Sequence, residues 1–172
     1  MAVLGLGSNL GDSRRTVLGA ITALGQVLAE LRSASLYETE PLYVADQGRF
    51  INTAVAGFYS GTPGELLSCI HGIEANFGRN RNQERRMGER TLDIDILLFG
   101  DLAAVFPASE NGPRLEIPHP RLRERRFALQ PLLELLPDAV EPCTGLSYRS
   151  ICDALPEQGV RLSARQRGDD AG

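Results

Sequence analysis

The chain predicts an α+β sandwich, a mainly antiparallel sheet covered by helices, and three observations carry that prediction. Helical patterns alternate with apolar strand-like runs in the order β-α-β-β-α-β. Glycines and prolines fall between the runs, and no apolar run approaches membrane-spanning length. At 172 residues, 42% of them hydrophobic, one domain with a sizeable core is expected.

Residues 2–6 read as a short apolar strand running into Gly7-Ser8-Asn9. The glycines of Gly5-Leu6-Gly7-Ser8-Asn9-Leu10-Gly11 miss dinucleotide-binding spacing, because Leu10 stands where the third glycine belongs. A strand-to-helix turn is therefore the reading. Asp12 or Ser13 then caps a helix carrying Val17, Leu18, Ile21, Leu24, Leu28 and Leu31 at helical spacing and ending near Arg32. Residues 33–37 read as a second strand and 38–49 as a polar loop. Residues 50–59 form a third strand, with Asn52 an unusual polar guest.

Thr62-Pro63-Gly64-Glu65 is a capping box with proline at the first helical position. The helix behind it buries Leu66, Leu67, Ile70, Ile73 and Phe77 and stops at Gly78. A fourth strand follows an arginine-rich segment. This order, with its long loops, fits a ferredoxin-like βαββαβ sandwich. Residues 101–120 leave room for short strands at 103–106 and 114–117, and extra helices are expected over 127–136 and 146–155. One domain over 1–158 and a flexible tail over 159–172 complete the expectation.

The chemistry gathers around the fourth strand. Alternation puts Leu92, Ile94, Ile96 and Leu98 on one apolar face and Asp93 and Asp95 on the other, roughly 6.5–7 Å apart. Two such carboxylates repel each other and lose solvation unless something neutralises them. Mg²⁺ is a natural partner, commonly held by one or two carboxylates plus substrate phosphates. Immediately upstream, residues 79–90 hold five arginines in twelve residues, and guanidinium forks grip phosphate. Each feature alone reads as ordinary solvated charge; their adjacency suggests a polyphosphate–Mg²⁺ site.

Composition narrows the alternatives. A net charge of −4 argues against wholesale nucleic-acid binding. Cys69, Cys143 and Cys152, odd in number and without CxxC spacing, suggest reduced thiols in a cytoplasmic protein. With only His71 and His119 besides, a zinc cluster is not expected. No basic-then-apolar signal opens the chain.

Several motifs occur together and in order: Gly7-Ser8-Asn9, Tyr37-x-Thr39-x-Pro41, Phe50-x-Asn52, Arg90-Thr91-Leu92-Asp93-Ile94-Asp95, Ile117-Pro118-His119-Pro120-Arg121, and Arg126-Phe127-Ala128-Leu129-x-Pro131-Leu132. Over about residues 3–155 the sequence resembles the 6-hydroxymethyl-7,8-dihydropterin pyrophosphokinases of folate biosynthesis. The resemblance implies the ferredoxin-like fold and transfer of the β,γ-pyrophosphoryl group of ATP to the pterin hydroxymethyl oxygen, with release of AMP. It implies two Mg²⁺ ions on Asp93 and Asp95, catalytic roles for Arg79 and Arg90, and ATP contacts from Glu74, Arg81, Arg86, Arg114, His119 and Arg125. Phe50 and Phe127 would sandwich the pterin, Asn52 would read its edge, and Thr39 and Leu42 would line the ring. ATP and 6-hydroxymethyl-7,8-dihydropterin are the expected partners of a monomer, with no nucleic acid and no membrane.

The sequence departs from the family pattern at Arg86-Met87-Gly88-Glu89-Arg90, where an aromatic and a proline are common, and in a loop one residue longer. Glu40, Phe50, His71, Glu116 and Pro120 also differ from residues common in relatives. A long arginine- and glycine-containing loop over a phosphate site is a natural lid, so 79–90 is expected to be mobile when empty. Two rival readings are another Mg²⁺-dependent nucleotidyl- or glycosyl-transferase and a ferredoxin-like RNA-binding module. The first leaves Phe50, Asn52 and Phe127 unexplained as a set. The second fits neither the charge nor an unmetallated Asp pair.

Overall fold

In the computed structural model, which describes residues 1–40, 48–79, 90–108 and 113–164, β1 (Ala2–Ser8) is an interior strand of the sheet. It pairs antiparallel with β4 (Phe50–Phe58) on one side and β5 (Asp93–Phe99) on the other. Beyond β4 come β2 (Ala29–Ser33) and β3 (Tyr37–Thr39), both antiparallel to it, and β8 (Arg161–Leu162) extends the edge past β3. The path through the sheet is β5-β1-β4-β3-β8, with β2 also paired to β4. A separate hairpin joins β6 (Ala104–Phe106) to β7 (Leu115–Ile117).

Helices cover both faces. α1 (Ser13–Leu24) and α2 (Pro63–Asn76) enclose a cluster that includes Leu4, Leu24, Leu66, Ile70, Leu92 and Ile96. α3 (Arg126–Leu135) and α4 (Tyr148–Ala154) close the opposite face over Val3, Ala56, Leu97, Leu129 and Leu132. Leu4, Leu24, Leu66 and Leu129 are fully enclosed, each side chain contributing about 1.5–3 kcal/mol by leaving water.

Local signals set the helix starts. The Asp12 carboxylate accepts the Arg15 N–H at the start of α1. Thr62 and Glu65 form the anticipated reciprocal box at α2, and Gly78, at φ +84°, takes the left-handed turn beyond it.

Three expectations change. α1 ends at Leu24 rather than near Arg32, and Leu28 reaches the core from the turn that follows. The leucine spacing continues as if helical, but residues 29–33 pair along the β4 edge, with a bulge around Glu30 at φ +52°. The second strand is accordingly two strands, β2 and β3. On β5 the register against β1 slips between Val3 and Leu4, where Val3 faces Leu98 and Leu4 faces Ile96. That irregularity turns Leu98 away from Leu92, Ile94 and Ile96 into the α3–α4 cluster. Near the C-terminal end of the described residues, Ser163 N–H donates to Leu36 O at 2.8 Å, and Arg14 reaches Ser163 Oγ at 3.2 Å. Residues 165–172 lie outside the described residues. No helix among the described residues is long and apolar enough to cross a membrane.

Candidate active site

Two cross-strand rows form the floor of the site. Tyr37, Asn52, Gly7 and Asp93 oppose one another across β3, β4, β1 and β5; next to them run Ala54, Gly5 and Asp95. Directly opposed residues share a face, and Tyr37 identifies which one, because its hydroxyl donates to Glu134 on α3. Small residues at Gly5, Gly7 and Ala54 leave room on that face, where Val3, Ala56 and Leu98 fill it further along. Polar groups stand at both ends of the space, Asn52 at one and the aspartates at the other.

The aspartates are held by cations. Arg79 Nη1 donates to Asp93 Oδ1 at 2.5 Å and also to Glu74 Oε1, while Arg90 Nη1 donates to Asp93 Oδ2. Burial alone would push the Asp93 carboxyl up, but Arg90 and Arg79 outweigh it and hold the group below its ordinary value. Asp95 Oδ2 accepts from Arg125 Nη1 at 3.0 Å and stands 3.6 Å from His119 Nε2. His119 is oriented by its neighbours: its backbone N–H donates to Leu97 O at 3.0 Å, and Nδ1 accepts the Arg121 backbone N–H at 3.1 Å. That leaves Nε2 as the proton-bearing nitrogen toward Asp95. Burial lowers the imidazole pKa, with Arg125 and Arg121 acting the same way against Asp95 and Asp93.

Glu74 is enclosed rather than a surface glutamate, with 1% of it exposed. Its Oε1 accepts the Ile94 N–H at 2.9 Å as well as Arg79, so it ties α2 to the start of β5. Its side chain supports the arginine–aspartate array from behind.

On the other flank, Asn52 Nδ2 donates to the buried Thr39 Oγ1 at 2.7 Å. Phe50 sits two residues from Asn52 on the same face of β4, at the strand's start. Phe127 is the second residue of α3, and the Arg125 guanidinium lies over its ring at 5.7 Å. Arg114 stands apart from the cluster: it is 61% exposed and pairs with Glu116 at 2.7 Å. Arg81, Arg86 and Leu42, together with Met87 and the expected lid apart from its end residues Arg79 and Arg90, lie outside the described residues.

Three contributors carried no assigned role in the sequence reading. Asn9 clamps the backbone of Arg90, accepting its N–H at Oδ1 (2.8 Å) and donating its own N–H to the Arg90 carbonyl (3.2 Å). Gly7 provides clearance beside Asn52, and Glu134 holds Tyr37 and the Ser35 N–H (2.8 Å). Glycines alternating on one strand face were a usable signal for Gly7; Glu134 had none, since 97 residues separate it from Tyr37.

The Nε–H groups of Arg90 and Arg125 are enclosed and have no acceptor among the described residues. Buried donors of this kind call for a partner, and beside a carboxylate pair an anionic oxygen supplies one. Two aspartates also fit hard divalent cations, which prefer oxygen ligands. No cluster of three or more His, Cys, Asp or Glu that could hold a metal ion occurs among the described residues.

A mixed helix and antiparallel-sheet protein with an arginine-braced carboxylate pair belongs, as a class, with proteins that handle phosphate esters. The sequence matches the 7,8-dihydro-6-hydroxymethylpterin-pyrophosphokinase (HPPK) family over residues 3–137, and the chain belongs to that family. It is 36% identical over 174 residues to the 2-amino-4-hydroxy-6-hydroxymethyldihydropteridine pyrophosphokinase of Bacillus subtilis, covering 99% of this chain and 94% of that protein. It is 37% identical over 164 residues to the folic acid synthesis protein fol1 of Schizosaccharomyces pombe, but spans only 21% of that protein's length. In fold it is similar to the crystal structure of wild-type Plasmodium falciparum HPPK-DHPS, with a TM-score of 0.70 at 16% identity, covering 88% of this chain and 44% of that one.

Proposed function

We propose that this chain transfers the β,γ-pyrophosphoryl group of ATP to the hydroxymethyl oxygen of 6-hydroxymethyl-7,8-dihydropterin, giving AMP and the pterin diphosphate used in folate synthesis. The observation that carries this reading is the array on β5: two aspartates one residue apart, braced by Arg79, Arg90 and Arg125, with two buried guanidinium N–H groups that have no acceptor among the described residues. Family membership and the B. subtilis relative support the same reaction.

The pterin oxygen attacks the β-phosphorus in line as the α–β bridge breaks, a step catalysed by positioning and charge stabilisation. Asp93 and Asp95 would hold two Mg²⁺ ions, whose charge neutralises the polyphosphate and favours ionisation of the attacking hydroxyl. Arg79 and Arg90 hold the Asp93 carboxylate in place and offer donors to the phosphate oxygens. Arg125 and His119 do the same around Asp95, and Arg81, Arg86 and Arg114 are further candidate nucleotide contacts. Glu74 braces Arg79 and β5, and stands on the helix proposed to meet the adenosine part of ATP. Asn52 reads the pterin edge, Thr39 fixes the Asn52 amide, Phe50 and Phe127 face the ring, and Leu42 is a further candidate pterin contact.

The strand path, with β5 beside β1 and β4 between β1 and the β2/β3 pair, supports a ferredoxin-like arrangement with two added helices. A cytoplasmic monomer acting without nucleic acid is the accompanying reading. Incubation with ATP and Mg²⁺ tests the reaction: AMP should appear only when hydroxymethyl-dihydropterin is present. AMP formed equally without the pterin would defeat it.

A further inference from the structure

α3 begins without a cap of its own. The residue at its N-cap is Arg125, and a guanidinium has only donors, so it cannot accept a backbone N–H as serine or aspartate would. The Arg125 side chain is engaged elsewhere, donating to Asp95 Oδ2 at 3.0 Å and lying over the Phe127 ring. The cap comes instead from Gln158, 32 residues beyond Arg126. Its Oε1 accepts the Arg126 backbone N–H at 2.9 Å, and its Nε2 donates to Glu124 O at 2.9 Å. Both partners are backbone groups with fixed roles, one a donor and one an acceptor, and a primary amide serves both at once.

The hold is reciprocal. Arg126 Nη1 donates to Leu155 O at 3.1 Å and to Pro156 O at 3.3 Å, so residues 124–126 and 155–158 are bonded in both directions. Beyond Gln158 the chain passes Glu40, where a Cβ at Gly159 would stand 3.8 Å from Glu40 Cγ. It then joins β3, with Arg161 opposite Glu38 and Leu162 opposite Tyr37. Three residue steps separate Gln158 from Arg161, a reach of at most about 10–11 Å. The far end is fixed by Ser163, whose Oγ donates to Glu38 Oε1 at 3.2 Å. One short strap therefore ties the start of α3, with Arg125 and Phe127, to β3, whose Thr39 holds the Asn52 amide. The strap lies beyond residues 3–137, the range of the family match.

We propose, on the reaction put forward above, that Gln158 is a positioning residue for pyrophosphoryl transfer. It caps α3 from a distance, so that Arg125 stays on Asp95 and Phe127 stays at the pterin side. Helix ends without caps fray, and here the first turn carries side chains assigned to the reacting groups. A misplacement of about 1 Å in such side chains can cost on the order of a hundredfold in rate.

Two substitutions in the full chain test this. Gln158→Met keeps the side-chain length and removes both hydrogen bonds. Gln158→Glu keeps an acceptor for the Arg126 N–H, and its charge suits a helix N-terminus. Both are assayed with ATP, Mg²⁺ and hydroxymethyl-dihydropterin at a temperature where circular dichroism shows them folded. Gln158→Met should lower kcat about tenfold and raise the pterin KM about fivefold, whereas Gln158→Glu should keep both within about threefold of the parent. Amide hydrogen exchange at Arg126 should quicken about tenfold in Gln158→Met and stay slow in Gln158→Glu. A glutamine that only stabilised the fold would lower the melting temperature in Gln158→Met and leave kcat and KM of the folded enzyme unchanged; that result overturns the proposal. So does Gln158→Glu as impaired as Gln158→Met, or Arg126 exchange that neither substitution alters. A parent chain that makes no AMP with the pterin refutes the reaction itself, whereas an active parent with parent-like variants refutes only the positioning role.

Discussion

Gly7 lies opposite Asn52 across the β1–β4 ladder, and a Cβ at position 7 would stand 2.8 Å from Asn52 Oδ1. The same carbon would come within 4.0 Å of Phe50. Glycine is therefore what lets the amide keep its bond to Thr39 and still face the open floor.

Gly7→Ala should accordingly damage pterin recognition more than nucleotide binding. The Asn52 amide must move by some tenths of an ångström, and overpacking of this kind costs about 1–3 kcal/mol. The expected result is a pterin KM raised about tenfold with the ATP KM nearly unchanged. Steady-state kinetics with each substrate varied in turn checks it; equal changes in both constants would refute the assignment of this flank.

Asp93→Asn and Asp95→Asn should separate activity from stability. Both should lower turnover by about 10³-fold or more if the pair holds the catalytic cations. Only Asp93 lies between two close guanidiniums, so its neutralisation should also cost about 2–3 kcal/mol, while Asp95→Asn costs under about 1. Denaturant midpoints of the two variants measure the difference. The sign with pH follows from the lowered Asp93 pKa: its stabilisation is complete above the unfolded value near 4 and fades as pH falls through the lower folded value.

Glu74→Gln keeps an acceptor for the Ile94 N–H but leaves Arg79 with less countercharge in an enclosed setting. A loss of about 2–4 kcal/mol and a fall in kcat are expected, with Glu74→Ala worse on both counts. Thermal melts paired with turnover measurements check this. A surface role would predict neither effect.

At alkaline pH three groups act in one direction. Burial raises the pKa values of Tyr37, Tyr148 and Cys152, with hydrogen bonding to Glu134 adding to the effect on Tyr37. Each holds its proton more tightly when folded, so each contribution is intact below the unfolded value and is lost as pH rises beyond it. Stability should stay level to about pH 9 and then decline, first through Cys152 and then through the tyrosines. Tyr148→Phe should flatten that decline in urea titrations at pH 8 and pH 10.5; an unchanged slope would contradict it.

Short-range chemistry was legible from the residues alone. The capping box at Thr62–Glu65, the Asp12 cap, and the alternation that sets Asp93 and Asp95 apart from Ile94 depend on neighbours a few positions away. The paired carboxylates beside arginines pointed to phosphate chemistry on the same footing. What the pattern could not reveal depended on which strands became neighbours. Pairing with β4 ended α1 at Leu24, and the irregular register with β1 turned Leu98 to the opposite face. Glu74 became a buried brace only once α2 lay against β5, and Gly7 mattered only once Asn52 stood opposite it. Periodicity records one segment's preference for a face, whereas burial and close approach are set by contacts between segments far apart in the chain.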